Sequence, residues 1–260
     1  MKNLRTWGRP PHGVAVIHGG PGAPGEMAPV ARELAKICGV LEPLQTKDTL
    51  GGQVRELHEI LEQKGKLPIC LIGYSWGAWL SFIVTARHPE VVRKLILVGS
   101  AAFEEKYAEN IVPDRMDRLT EEERIEALDL IDTLDDPATP DKDARMARLG
   151  ALFSKADTYD ALPRKSELLE FSYEINKSVW EEAKLLRESG GLLEMGKKIK
   201  CPVVAIHGDY DPHRAEGVKE PLTRVLKDFK FILLEKCGHE PWIEKFARDK
   251  FYEIIKNEIK

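Results

Sequence analysis

The sequence is poor in the features that mark several protein classes. Its four cysteines, Cys38, Cys70, Cys201 and Cys237, are scattered without CxxC spacing, so they read as free thiols of a reducing compartment and form neither a disulfide framework nor a zinc site. No apolar run approaches the length of a membrane span, and the opening MKNLRTWGRPPHG lacks the apolar core of a signal peptide. A soluble, cytoplasmic protein with no membrane partner is expected. No Lys/Arg-rich block or basic stripe stands out, and 39 Lys and Arg nearly balance 43 Asp and Glu, which argues against nucleic acid. Asn and Gln are few while charged residues reach 32%, a balance found in heat-adapted proteins. A small neutral or mildly polar molecule is the partner these exclusions leave, and the sequence carries no signal of oligomeric state.

What is present suits one large core. A chain of 260 residues with 43% hydrophobic content can fold around a single α/β core carrying an insertion. Short apolar runs rich in β-branched residues recur at Val14–Ile17, Leu67–Ile72, Leu95–Val98, Val203–Ile206 and Phe231–Leu234, each suited to a buried parallel strand. Val40–Leu44 is a weaker candidate because it contains Pro43. Between the runs lie amphipathic helical patterns, Met27, Val30, Ala31, Leu34 and Ala35 ahead of Gly39, and Val54, Leu57 and Leu61 ahead of Gly65. The alternation predicts an α/β fold with a doubly wound, mostly parallel sheet. Residues 103–198 break it: they are highly charged, helical in period and without a convincing buried strand, so they are expected to form a helical cap inserted between core segments 1–102 and 199–260. EEERIEALDLIDTL, DKDARMARLGALF and SELLEFSYEINKSVWEEAKLLRE are its expected helices.

In an open parallel sheet the site forms at the carboxyl ends of the strands. Ser75, in Gly73-Tyr74-Ser75-Trp76-Gly77, follows one strand and precedes the helical run to His88; glycines two residues either side relieve crowding at such a sharp turn and expose the hydroxyl. A serine there can also merely cap a helix. HGGPG, His18 to Gly22, follows the first strand. The amides of Gly20 and Trp76 are the expected oxyanion donors, and His18 and Tyr74 flank them as expected substrate-pocket residues. A phosphate loop is excluded, since neither GxGxxG nor a GK[ST] ending occurs. Further along, the HGDYDPH loop offers Asp209 and Asp211, either able to orient a histidine, and EKCGHEPW presents His239. Serine, acid and histidine in that chain order make a nucleophile, an orienting carboxylate and a general base. Such chemistry needs no metal and no organic cofactor. A serine at the elbow also excludes dehalogenation and epoxide hydrolysis through a carboxylate nucleophile.

Together HGGPG, GYSWG, the GDYD loop and CGHEPW resemble the α/β-hydrolase superfamily, and the HGGPG and Ser-Trp-Gly pair is similar to proline iminopeptidases. The likeness covers about residues 13–101 and 199–260, not the cap. It implies acyl transfer to water and places the acid three residues beyond Gly208, at Asp211. Three departures bear on substrate. Tyr74 stands where the iminopeptidase pattern has glycine, Val40–Leu50 lacks a DxxGxGxS stretch, and the leading hairpin is reduced or missing. Iminopeptidases read a substrate ammonium with cap carboxylates, for which Glu181 and Glu182, beside Trp180, are the candidates. The expected activity is cleavage of small esters, with amides as an extension; an iminopeptidase and a non-catalytic ligand-binding protein of the same fold are the alternatives.

Overall fold

The computed structural model describes residues 3–163, 167, 169 and 171–260. Seven strands form one sheet in the order β1-β3-β2-β4-β5-β6-β7. They are β1 (Leu4–Trp7), β2 (His12–Ile17), β3 (Gly39–Pro43), β4 (Ile69–Tyr74), β5 (Val92–Val98), β6 (Val203–Gly208) and β7 (Phe229–Leu234). All neighbours are parallel except β1, which pairs antiparallel with β3. Helices α1 (Ala28–Leu34), α2 (Leu50–Lys64) and α3 (Trp76–Arg87) separate the early strands. Between β5 and β6 come α4 (Ile111–Met116), α5 (Glu121–Asp135), α6 (Lys142–Ala156), α7 (Tyr173–Glu188) and α8 (Gly191–Met195); α9 (Glu216–Val225) and α10 (Arg248–Glu258) complete the chain.

The strands read as continuous apolar runs because both faces are covered. Alternate residues point to opposite sides. Ala15, Ile17, Leu71, Leu95, Leu97 and Ala205 meet α2, α3 and α9, whereas Val14, Val16, Ile72, Ile96, Val204 and Ile206 meet α1 and α10. Val40–Leu44 does contain a strand: Pro43 closes β3 and lies opposite Leu4 of β1, beyond the last parallel pairing to β2 at Leu41, where no inner ladder bond is lost.

The leading segment is reduced, as expected, to one strand, β1, which pairs with β3 and forms no hairpin with β2; its Arg5 makes a bidentate pair with the fully buried Glu42 at 2.9 and 2.6 Å while Trp7 Nε1 donates to the same carboxylate at 2.7 Å. A four-residue edge strand carrying a charge has too little periodicity to read.

The inserted helices are of two kinds. Met116, Ala127, Leu130, Leu134, Leu149, Leu152 and Tyr173 make a separate apolar cluster from α4, α5, α6 and the start of α7. The remainder of α7 and α8 joins the main core through Val179, Ala183 and Leu192. α5 starts as its sequence promises, with a reciprocal capping box between Thr120 and Glu123. The helix expected from Ser166 begins later, at Tyr173, with Ser172 accepting from the Ile175 amide; Arg164, Lys165, Ser166, Leu168 and Glu170 lie outside the described residues.

Candidate active site

Ser75 occupies the turn from β4 into α3 with φ 51° and ψ −116°, a left-handed conformation that a side chain adopts only under strain. The turn is possible because its glycines sit where no Cβ fits. At Gly73 a Cβ would strike the Gly77 carbonyl, and at Gly77 it would strike the carbonyls of Ile17 and His18. The elbow is therefore pressed against the end of β2. Tyr74 and Trp76 are buried to either side while Ser75 stays partly exposed. Its amide donates to Val98 O at 3.0 Å, fixing the elbow to the end of β5.

The acid and the histidine arrive from β6 and β7. His239 Nδ1 lies 2.7 Å from Asp211 Oδ2, and a Cβ on Gly99, next after Val98, would meet the His239 ring. The end of β5 thus touches both the elbow and the imidazole. Asp209 is excluded from this contact. It is exposed, and its Oδ1 accepts from the Cys237 amide at 3.1 Å, so it shapes the loop before His239. Burial pulls the Asp211 carboxyl upward, but the adjoining histidines, His239 foremost, outweigh it and hold the group well below the usual carboxylate range. Burial pulls His239 down, and the facing Asp211 carboxylate outweighs that, lifting it above its ordinary value of 6.5.

Trp76 is the first residue of α3, so its amide has no acceptor within the helix and sits at the positive end of the helix dipole. In the HGGPG loop the Gly19 amide is taken by Glu26 Oε2 at 3.0 Å, which favours Gly20 as the loop's donor. The start of α7 holds this loop in place: Asn176 Nδ2 donates to Pro21 O at 2.8 Å and the Ser172 amide donates to Gly22 O at 3.1 Å.

Two expected pocket residues sit elsewhere. His18 is fully buried; its Nδ1–H donates to Gly19 O at 2.7 Å and its Nε2 accepts from the Gln45 amide at 3.2 Å. Burial drives its pKa down to about 4, so a neutral imidazole braces the loop from beneath and presents nothing to a substrate. Tyr74 is 3% exposed and packs edge-on against Trp242 at 4.6 Å and tilted against His239 at 5.0 Å. It backs the histidine. Glu182 accepts from the Leu50 amide at 3.0 Å and so caps α2, while Trp180 stacks on Trp79. Glu181 borders a separate cavity between the α5–α6 connection and α7.

Several residues that matter here carry no local motif. Asp157, at the end of α6, accepts from the His239 amide through its carbonyl at 2.9 Å, and its side chain is gripped by Arg115 at 2.8 and 2.6 Å. Arg118 donates to Tyr210 O in the acid loop at 2.8 Å. Glu244, fully buried, accepts from the amides of Gly238, Tyr159 and Asp160 at 2.7, 2.8 and 2.9 Å. A cavity of about 1000 Å³ opens between α1 and α6, walled in part by Ala23, Met146, Ala151, Phe171, Trp242 and Glu240, the residue after His239. Among the described residues, two clusters bring metal-type donors within 4.8 Å: Asp211, His213 and His239, and, on α2 and beyond the far end of α3, His58, His88 and Glu90. The first set is already engaged in mutual hydrogen bonds.

A pimeloyl-[acyl-carrier protein] methyl ester esterase of Neisseria meningitidis serogroup A is 26% identical over 189 residues, 69% of this chain and 55% of that protein. Monoacylglycerol lipase ABHD6 of Homo sapiens is 24% identical over 76% of this chain and 57% of its own length. The chain thus spans little more than half of these curated relatives. The crystal structure of a proline iminopeptidase from Mycobacterium smegmatis superposes with a TM-score of 0.62 over 98% of this chain and 93% of that one, at 18% identity, a likeness of fold. The model of the alpha/beta hydrolase fold family matches residues 46–246, most of the core with its insertion, and the chain belongs to that family.

Proposed function

We propose that the protein is a serine hydrolase that cleaves small esters through an acyl-enzyme on Ser75, with residues 103–198 acting as the cap over its substrate. The observation that carries this reading is the 2.7 Å contact of His239 Nδ1 with Asp211 Oδ2, together with an elbow serine at φ 51° whose amide donates to the carbonyl of Val98, the residue before the Gly99 that His239 packs on. His239 takes the hydroxyl proton as Ser75 attacks the carbonyl; the amides of Gly20 and Trp76 hold the oxyanion; the imidazolium returns the proton to the leaving alcohol. Water then repeats the sequence on the acyl-enzyme. Asp211 fixes the tautomer and stabilises the imidazolium. No cofactor takes part in these steps, and the setting proposed is a soluble, cytoplasmic one; among the described residues no helix is long and apolar enough to cross a membrane.

Ester preference is supported by the esterase and lipase among the relatives. It is also supported by the positions of the candidate ammonium readers, since Glu182 caps α2 and Glu181 borders another cavity. Without dedicated amine recognition, amide cleavage suffers first because an amine leaves only when protonated in a well-positioned complex. The test is kcat/KM for p-nitrophenyl acetate and butyrate against prolyl and alanyl p-nitroanilides. Esters are expected to lead. Preference for the prolyl anilide would establish the iminopeptidase reading, and no turnover of either class would favour a ligand-binding protein.

A further inference from the structure

Asp211 serves more than one imidazole. His213, two residues on, donates its backbone N–H to Asp211 Oδ1 at 2.9 Å, and its Nδ1 lies 2.9 Å from the same oxygen. The other carboxylate oxygen, Oδ2, faces His239. His213 also lies over the His239 ring, centroids 4.5 Å apart and planes within 23°. Its own position is fixed from β6, because His207 Nε2 donates to the His213 carbonyl. His213 is 8% exposed, and burial drives its pKa down to about 4. It is therefore a neutral imidazole with its proton on Nδ1, the tautomer that can donate to a carboxylate.

We propose that His213 is a positioning residue for the acid–base pair: by saturating Asp211 Oδ1 and stacking on His239, it directs Oδ2 to His239 Nδ1 and fixes the plane of the catalytic imidazole. The His213 backbone N–H holds Oδ1 whatever the side chain, and the imidazole adds a second donor at the same oxygen, so rotation about the Cβ–Cγ bond breaks two bonds at Oδ1 where it would otherwise break one. Sharing matters electrically as well. Donation to Oδ1 draws off part of the negative charge that Asp211 presents to His239, so losing it would make the imidazolium more stable. The groups facing this pair are His207 from β6, Arg115 from α4 and Asp157 from the end of α6, and all are left in place by changes at His213.

The inference rests on the hydrolase reading above, and Ser75→Ala separates the two failures. If Ser75→Ala retains full ester turnover, the hydrolase reading falls and this one with it; if Ser75→Ala is inactive, the His213 result stands alone. The variants are His213→Leu, which keeps water out but removes the donor, and His213→Asn, whose amide offers an N–H near the Nδ1 position. Leu is expected to lower kcat on p-nitrophenyl butyrate about tenfold to a hundredfold, far less than loss of the acid itself, with KM little changed. It should also move the acid limb of the kcat/KM profile to higher pH. Asn should restore most of kcat and return the limb. Leu at wild-type kcat with an unmoved limb would overturn the proposal, as would a change confined to KM. If Leu fails to fold, as judged by circular dichroism, His213→Phe, which keeps a ring and lacks the donor, decides: a lowered kcat with the limb moved to higher pH supports the proposal, and wild-type kcat with an unmoved limb overturns it.

Discussion

Ser75, the nucleophile proposed above, sits in a strained turn. At φ 51° and ψ −116° the strain is about 1–3 kcal/mol, while a glycine there would lose only about 0.5–1 kcal/mol in unfolded-chain entropy. Ser75→Gly should therefore gain about 1 kcal/mol in urea unfolding and lose all ester turnover, whereas Ser75→Ala, which keeps the Cβ, should lose turnover without the gain. The acid can be assigned by a paired substitution. Asp211→Asn presents the wrong imidazole tautomer and should cost about 10⁴ in kcat; Asp209→Asn, which touches only the Cys237 amide, should stay within tenfold, an order-of-magnitude expectation for a loop contact. A larger loss at Asp209 reverses the assignment. The pH profile follows from His239. In the proposed mechanism the neutral imidazole is the active form, and Asp211 lifts its pKa above 6.5, so the acid limb of kcat/KM should fall above that pH. A limb below it contradicts the pairing.

Elements bring these residues together, and here the sequence is legible unevenly. The buried strands announce themselves as apolar runs, and Ser75, Asp211 and His239 each follow one within a few positions, so local pattern suffices to single them out as candidates. The contacts that hold their loops join distant positions. Arg115 and Asp157 are 42 residues apart and Tyr159 and Glu244 are 85 apart, and a lone arginine or glutamate on a charged helix has no periodicity to betray its partner. His18 and Tyr74 mislead for a related reason: motif position places them near the site, but only packing decides that they face inward. Glu182, a candidate ammonium reader by its place in the sequence, accepts from the Leu50 amide at the start of α2. The Arg115–Asp157 pair, with side chains 15% and 6% exposed, supports the loop that presents His239. Arg115→Ala would leave a buried carboxylate unpaired, so it should lower unfolding free energy by about 3–5 kcal/mol and reduce kcat at temperatures where the protein remains folded. A loss below 1 kcal/mol, on the order of an exposed pair, would show that the clamp carries no such role.

At the scale of the whole molecule, a two-faced sheet with helices inserted after β5 leaves the strand ends covered by α4–α7 on one side of the site. The cavity between α1 and α6 reaches Glu240, beside His239, but neither Ser75 nor His239 is among the residues that line it. The fold is the more legible half of the molecule because buried periodicity encodes it. Substrate is the less legible, since the contacts that seat the inserted helices against the core join residues far apart in sequence. The most direct test of the central claim, that Ser75 is a nucleophile activated by His239 and Asp211, is labelling with a fluorophosphonate followed by peptide mapping in a mass spectrometer. The expected result is one adduct, on Ser75, absent from Ser75→Ala and greatly slowed in His239→Gln; an unlabelled wild type, or an adduct on another serine that survives Ser75→Ala, contradicts it.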